Sequence, residues 1–67
     1  MEYSNSRIRE IIGEYIHDEK HRRLIARRLI DNITIERLAE EFDLSVSQVK
    51  RIIWKDSEII FRHLEKD

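Results

Sequence analysis

The fold of this chain is decided by residues 33–52, which read ITIERLAEEFDLSVSQVKRI. Apolar residues recur in this stretch every three or four positions, which is the spacing of amphipathic helices. The pattern is interrupted once, at Asp43-Leu44-Ser45, where a residue that tolerates the left-handed backbone region precedes a good helix N-cap. The stretch therefore predicts two short helices joined by a three-residue turn.

Both helices of this pair carry recognisable start signals. Thr34 is a suitable N-cap for a helix from Ile35 to about Phe42. Ser45, followed three residues later by Gln48, forms a capping-box pattern that begins the next helix. We expect the residues that pack the two helices together to be the apolar ones on their facing sides, with a small residue at the closest approach: Leu38, Ala39, Phe42, Leu44, Val49 and Ile52.

The segments on either side of this pair are helical as well. An apolar stripe predicts a first helix over about residues 6–17, capped by Ser4 or Ser6, and Asp18 can cap a second that ends near Asn32. Residues 58–64 form either a fifth helix capped by Ser57 or an extension of the fourth. Since the chain has no Pro, one Gly and no Cys, we predict an all-α, small four- to five-helix bundle that forms a single domain, 1–67.

The charges of the chain are sorted into blocks. The net charge is −1, but residues 20–30 contain five basic and no acidic side chains, whereas residues 31–43 contain five acidic side chains and one basic. Residues 44–55 again contain only basic ones, three in number. Neutralisation of phosphates by Lys and Arg supplies much of the affinity for nucleic acids. Residues 44–55 therefore predict an anion-binding surface, although the net charge of the chain is −1.

Residues 33–52 resemble the helix-turn-helix of bacterial transcription proteins, in particular the promoter-binding C-terminal region of sigma factors and related phage or mobile-element regulators. The likeness extends over about residues 27–64 and departs from the usual pattern at Asp43, where Gly is common. The resemblance implies a helix-turn-helix unit at about 34–55 and sequence-specific binding of duplex DNA by a small transcriptional regulator. A helix at about 45–55 would then occupy the major groove.

The resemblance also implies which side chains face DNA. Arg51 can pair bidentately with guanine and Gln48 with adenine, whereas Lys50 and Lys55 are better suited to phosphates. Amides at the start of the preceding helix could bind a further phosphate. The predicted DNA-binding residues are Thr34, Arg37, Ser45, Ser47, Gln48, Lys50, Arg51 and Lys55.

Three alternatives stay open at this point. The acidic segment containing Glu36, Glu40, Glu41 and Asp43 would repel phosphates, so the chain could instead be a protein-interaction module that binds RNA polymerase or another regulator. The basic face of the second helix could contact DNA or pair with those carboxylates. For Trp54, packing under a neighbouring helix or in a dimer interface is favoured over contact with the DNA backbone.

The remaining signals are weak. Glu10, Glu14, His17 and His21 have a spacing that suits metal ligands on one helix, but the break near Asp18 favours a solvated surface. The C-terminal apolar residues, Ile59, Ile60, Phe61 and Leu64, serve either the core or a homodimer. No pattern indicates an enzyme or a cofactor. Since no secretory signal or membrane-spanning run is present, we expect a cytoplasmic location.

Overall fold

The computed structural model of the protein describes residues 4–65, which form four α-helices in chain order. They are α1 (Asn5–Tyr15), α2 (Glu19–Leu29), α3 (Ile35–Phe42) and α4 (Val46–Glu65). The described residues contain no strand, so the all-α prediction is confirmed. The predicted domain, 1–67, extends beyond the described residues at both ends.

Local capping sets where three of the helices begin. The Ser4 hydroxyl accepts a hydrogen bond from the backbone N–H of Arg7 at 3.1 Å. The Asp18 carboxylate accepts one from the N–H of His21 at 3.1 Å, and this bond lowers the pKa of Asp18. Thr34 caps α3 in the same way. Each cap satisfies an N–H group that has no partner inside its helix, and the predicted caps are confirmed.

The ends of α1 and α2 come two to three residues earlier than predicted. Ile16 leaves the helix in an extended conformation and turns its side chain into the core, where it is 3% exposed. After Leu29, the chain reaches Asn32, which has a φ of 57° and so cannot continue a right-handed helix. Burial of Ile16 thus ends α1, and the turn at Asn32 ends α2, before the apolar periodicity of the sequence does.

The turn between α3 and α4 depends on Asp43, which adopts the left-handed conformation with φ 55° and ψ 48°. Its N–H and that of Leu44 donate to carbonyl groups of the last turn of α3, Leu44 to Ala39 at 2.9 Å. Asp tolerates this region better than most residues, although Gly would do so without strain. The three-residue turn that the sequence predicts is therefore present, and backbone hydrogen bonds close it.

Helix α4 continues unbroken through Asp56 and Ser57, so the last segment is an extension of the fourth helix. One buried stripe runs along it through Val49, Asp56, Ile60 and Leu64. Continuous burial of this stripe outweighs the weak break signal of the two polar residues. Neither α4 nor another helix within residues 4–65 combines the length and apolar character needed to cross a membrane.

The core consists of two clusters. The first joins α1, α2 and the C-terminal half of α4 through Ile8, Ile11, Ile12, Ile16, Ile25, Ile60 and Leu64. The second joins α2, α3 and the N-terminal half of α4 through Leu24, Leu38, Ala39 and Val49, with Phe42, Leu44 and Ile52 packed against them. Ile53 contacts both clusters. All six residues predicted to pack α3 on α4 lie in the second cluster.

The C-terminal apolar residues are used mainly inside the bundle. Ile60 and Leu64 are buried and Ile59 packs against the first cluster, whereas Phe61 is 42% exposed. Nearby, Tyr15 is 40% exposed and its ring stacks on His63 at a centroid distance of 3.6 Å. Of the two predicted roles, core or dimer surface, the structure therefore shows the core for Ile59, Ile60 and Leu64.

Candidate nucleic-acid interface

The side of α4 opposite its buried stripe faces solvent. Because Val49 and Ile60 point into the core, residues about half a helical turn away must point outward. The exposed residues in this part of the helix and at its start are Ser45, Val46, Ser47, Gln48, Lys50, Arg51, Trp54 and Lys55. All six candidate DNA-binding residues in this segment are thus accessible to a ligand.

The three cations of this surface are not neutralised inside the protein. Among residues 4–65, no carboxylate lies within salt-bridge distance of Lys50, Arg51 or Lys55. The sequence from 44 to 55 also contains no acidic residue. The side chains are therefore free to bind an external anion without first breaking an internal ion pair.

Gln48 and Ser45 form the predicted capping box. The Ser45 hydroxyl accepts from the Gln48 N–H at 3.1 Å, and Oε1 of Gln48 accepts from the Ser45 N–H at 2.9 Å. The box leaves the side-chain NH₂ group of Gln48 and one lone pair of Oε1 for a base edge. It also fixes the direction of the carboxamide, which lowers the entropy lost when the group binds a ligand.

The start of α3 lies beside the N-terminal half of α4. Ile35, the residue after Thr34, lines a groove together with Ser47, Lys50 and Trp54. The Thr34 hydroxyl accepts from the Arg37 N–H at 3.2 Å, and the Arg37 side chain is exposed. The two candidate residues of α3 therefore sit at the end of α3 that adjoins this groove.

Arg27 of α2 pairs with helix α3 inside the fold. Its guanidinium donates from Nε to Oε2 of Glu41 at 3.0 Å and from Nη2 to Oε1, forming a two-point contact. This bond lowers the pKa of Glu41 and raises the pKa of Arg27. For Arg27, the structure therefore favours intramolecular pairing over contact with DNA.

Two further arginines of α2 hydrogen-bond to backbone carbonyls at the connections between helices. Arg22 donates to the carbonyls of Gly13, at 3.0 Å, and Ile16. Arg28 donates to the carbonyl of Ile33 at 3.0 Å. These carbonyls lie at or beyond helix ends, where they have no helical partner. Three of the five Lys and Arg side chains of α2 thus form hydrogen bonds within the fold.

Lys20 is the basic residue of α2 that approaches the exposed side of α4. It lines a groove with Gln48 and Arg51, and no carboxylate in residues 4–65 lies within salt-bridge distance of it. We call Lys20, Lys50, Arg51 and Lys55 the cationic face. From the sequence, contact between the basic face of α2 and DNA stayed open and Lys20 was not singled out, because the approach of α2 to α4 is a long-range contact.

Trp54 is 84% exposed, so the predicted packing under a neighbouring helix is wrong, whereas the other predicted packing, in a dimer interface, stays a prediction. It stands on the outward side of α4 between Arg51 and Lys55. Ile53 and Val49 already fill the space between α4 and the other helices. The indole is consequently the largest apolar group that the described residues leave in water.

Asp56 is a buried carboxylate that sequence reasoning also missed. It is 5% exposed, and its Oδ2 atom lies 3.5 Å from Nδ1 of His21 on α2. Burial raises the pKa of Asp56, and Asp18 acts in the same direction, whereas His21 and Lys55 oppose the shift. His21 therefore faces Asp56, and within residues 4–65 no three His, Cys, Asp or Glu side chains gather as metal ligands.

We expect Asp56→Asn to raise stability at neutral pH. A folded-state pKa above the unfolded value means that the native state binds its proton more tightly, so stability falls as the pH rises from the unfolded to the folded pKa. Removing the ionisable group should flatten that decline, which urea unfolding between about pH 4 and pH 7 would measure. Glu58→Gln, at an exposed position, is the control. If Asp56→Asn lowered stability relative to the unchanged protein, and did so more at pH 7 than at pH 4, the expectation would be contradicted.

Comparisons of the chain with family models, with curated proteins and with solved structures gave no significant match. An inference about function therefore depends on the geometry and charge of the chain itself. Two features stand out: a short-turn pair of helices, and an exposed cationic face on the second of them.

Proposed function

We propose that the protein is a small transcriptional regulator of the helix-turn-helix class that binds duplex DNA in a sequence-specific way. In this proposal α3 crosses the DNA backbone and residues 45–55 enter the major groove, whose width admits one helix. The observation that carries it is the cationic face: four basic side chains without a salt bridge lie on or beside the N-terminal half of α4, where Lys20 of α2 shares a groove with Gln48 and Arg51, and residues 44–55 contain no acidic residue.

The packing of α3 and α4 supports the same proposal. A reading helix must be held rigidly against the one before it, or its side chains lose their register with the bases. Here the turn is closed by hydrogen bonds to the end of α3, and Ala39 and Val49 are buried between the helices. The exposed residues of α4 are thereby presented on a fixed support.

Each candidate residue has a role that follows from its chemistry. Arg51 and Gln48 are exposed on the first two turns of α4, and their N–H groups suit base edges. Lys50, Lys55 and Lys20 are flexible point charges and suit phosphates on either side of the groove. Ser45, Ser47, Thr34 and Arg37 add hydrogen bonds to the backbone of the DNA.

Fluorescence anisotropy of a labelled duplex, titrated with the protein at several salt concentrations, tests the proposal. If Lys20, Lys50 and Lys55, together with Arg37, contact phosphates, log K should fall linearly with log salt, with a slope of roughly −3 to −4. Failure to bind duplex DNA at low salt would reject the proposal. It would favour the protein-interaction alternative, for which Glu36 and Glu40 of α3 remain exposed.

Lys20→Ala and Arg27→Ala form a matched pair, because each removes one positive charge from α2. We expect Lys20→Ala to weaken DNA binding and to reduce the salt slope by about 1, since Lys20 belongs to the cationic face. Arg27→Ala should leave the slope unchanged, because that guanidinium is occupied by Glu41. Equal effects of the two variants would show that total charge, rather than the cationic face, governs binding.

A further inference from the structure

The proposed function leaves the exposure of Trp54 unexplained. Tryptophan is among the most costly side chains to leave in water, and yet 84% of this one is accessible on a helix whose other large apolar residues are mostly covered. The indole projects from the same side of α4 as Arg51 and Lys55. Arg51 lies about one turn before Trp54, and Lys55 is the next residue in the chain. A ligand of the cationic face therefore meets the ring as well as the charges.

Two grooves flank the ring, and their composition limits what can cover it. One is lined by Ile35, Ser47, Lys50, Arg51 and Ile53, and the other by Arg51, Lys55, Ser57, Glu58 and Phe61. Glu58 is the single carboxylate among these residues. The site thus offers a flat apolar surface with cations on both sides, which suits a flat apolar group that carries negative charge.

A second copy of the chain does not suit this surface. A two-fold contact centred on Trp54 would place Lys50, Arg51 and Lys55 of one copy against the same residues of the other. Such like-charge contacts oppose association unless a counterion intervenes. A nucleotide combines both required properties, since its base is flat and its phosphate is anionic.

We infer that Trp54 is a stacking platform for an unpaired base, and that the preferred ligand is duplex DNA interrupted by a bulge or junction. The inference rests on the proposed function and narrows its substrate class. In an intact duplex the bases stack on one another and offer only their edges to the major groove. An indole can cover a base face only where the base is unpaired, while Lys50, Arg51 and Lys55 hold the adjoining phosphates.

Trp54 is the sole tryptophan of the chain, so its fluorescence reports directly on stacking. The full chain is titrated with a labelled, fully paired hairpin duplex and with the same hairpin carrying a bulge of two unpaired nucleotides. Anisotropy of the label measures binding, and quenching of the indole measures stacking. We expect both ligands to bind, with quenching and at least about fivefold tighter binding only for the bulged one.

Variants separate stacking from charge. Trp54→Ala should abolish the preference for the bulge while leaving affinity for the paired hairpin unchanged, and Trp54→Phe should retain part of the preference. Tyr15→Ala is the matched control, because it removes another exposed ring, one that lines neither groove beside Trp54, and should keep the preference. Both sites are exposed, and circular dichroism verifies that the variants fold.

The outcomes distinguish the two proposals. Equal affinity for both hairpins without quenching overturns the stacking platform and leaves duplex binding intact. Absence of binding to either hairpin overturns the proposed function as well. In the absence of DNA, the indole fluorescence could fall as the protein concentration rises, and sedimentation could show a dimer. That result overturns the stacking platform in favour of self-association. Quenching by an acidic peptide but by neither hairpin overturns it in favour of a protein partner.

Discussion

Arg51→Ala combined with Gln48→Ala should lower affinity for the preferred duplex by about 100-fold. Each side chain is exposed on the first two turns of α4, and a good bidentate contact to a base contributes about 1–3 kcal/mol of discrimination. The preferred duplex would be obtained by selection from a random pool, and anisotropy would then compare it with a scrambled duplex of equal length. Affinity for the scrambled duplex should fall only a few-fold, since Arg51 supplies one charge of several there.

Two controls isolate this loss from effects on the fold. Gln48→Ala also opens the capping box, which costs about 1 kcal/mol of helix stability, and Ser45→Ala opens the same box while keeping the carboxamide. Arg62→Ala removes a charge of the same kind from the last turns of α4, where Arg62 pairs with Glu58. Neither control should alter the ratio of specific to non-specific affinity. A double variant that keeps this ratio would contradict base reading by α4.

The second large effect is on stability. Leu24→Ala should destabilise the protein by about 2–5 kcal/mol, because Leu24 is fully buried where α2 meets α3 and α4. A domain of this size has only about 3–10 kcal/mol of total stability, so the variant should lie close to its unfolding transition at room temperature. Urea unfolding followed by circular dichroism is the suitable measurement. Fluorescence of Trp54 is not, because the ring is already in water in the folded state.

Ile25→Ala provides a comparison within the same helix. Ile25 is also fully buried, but it belongs to the first core cluster. Because α2 contributes to both clusters and Ile53 packs against both, each variant should shift one common transition. Leu29→Ala, at a partly buried position beside the first cluster, should have a smaller effect. Separate transitions for the two clusters would show that α1 unfolds independently of α3 and α4.

The fold was predictable where its signals are local. A cap joins residues three positions apart, so Asp18, Thr34 and the Ser45–Gln48 box could be identified before any tertiary contact was known. The outward position of Arg51 and Lys55 follows in the same way from the period of the helix. Their binding to DNA stays a prediction, since exposure alone does not select a ligand.

Features that depend on the neighbours of a helix were not predictable in this way. Trp54 is exposed because Val49 and Ile53 occupy the space between α4 and the other helices. The role of Lys20 required the approach of α2 to α4. Pairing between the basic face of α2 and the carboxylates of the next helix was one of the alternatives from sequence, but the specific pair, Arg27 with Glu41 fourteen residues away, was not identified. For Asp56 a signal did exist: it falls on the same helical stripe as Val49, Ile60 and Leu64.

For residues 33–52, the sequence by itself determined two helices, their caps and the turn at Asp43. Their apolar spacing and hydrogen-bonding side chains act over a few residues and need no other part of the chain. Only the tertiary structure decided that α4 continues to Glu65 and that its outward side carries an exposed indole among unpaired cations. The reason is that burial depends on which surfaces α1, α2 and α3 cover, a property of the packed bundle rather than of any one segment.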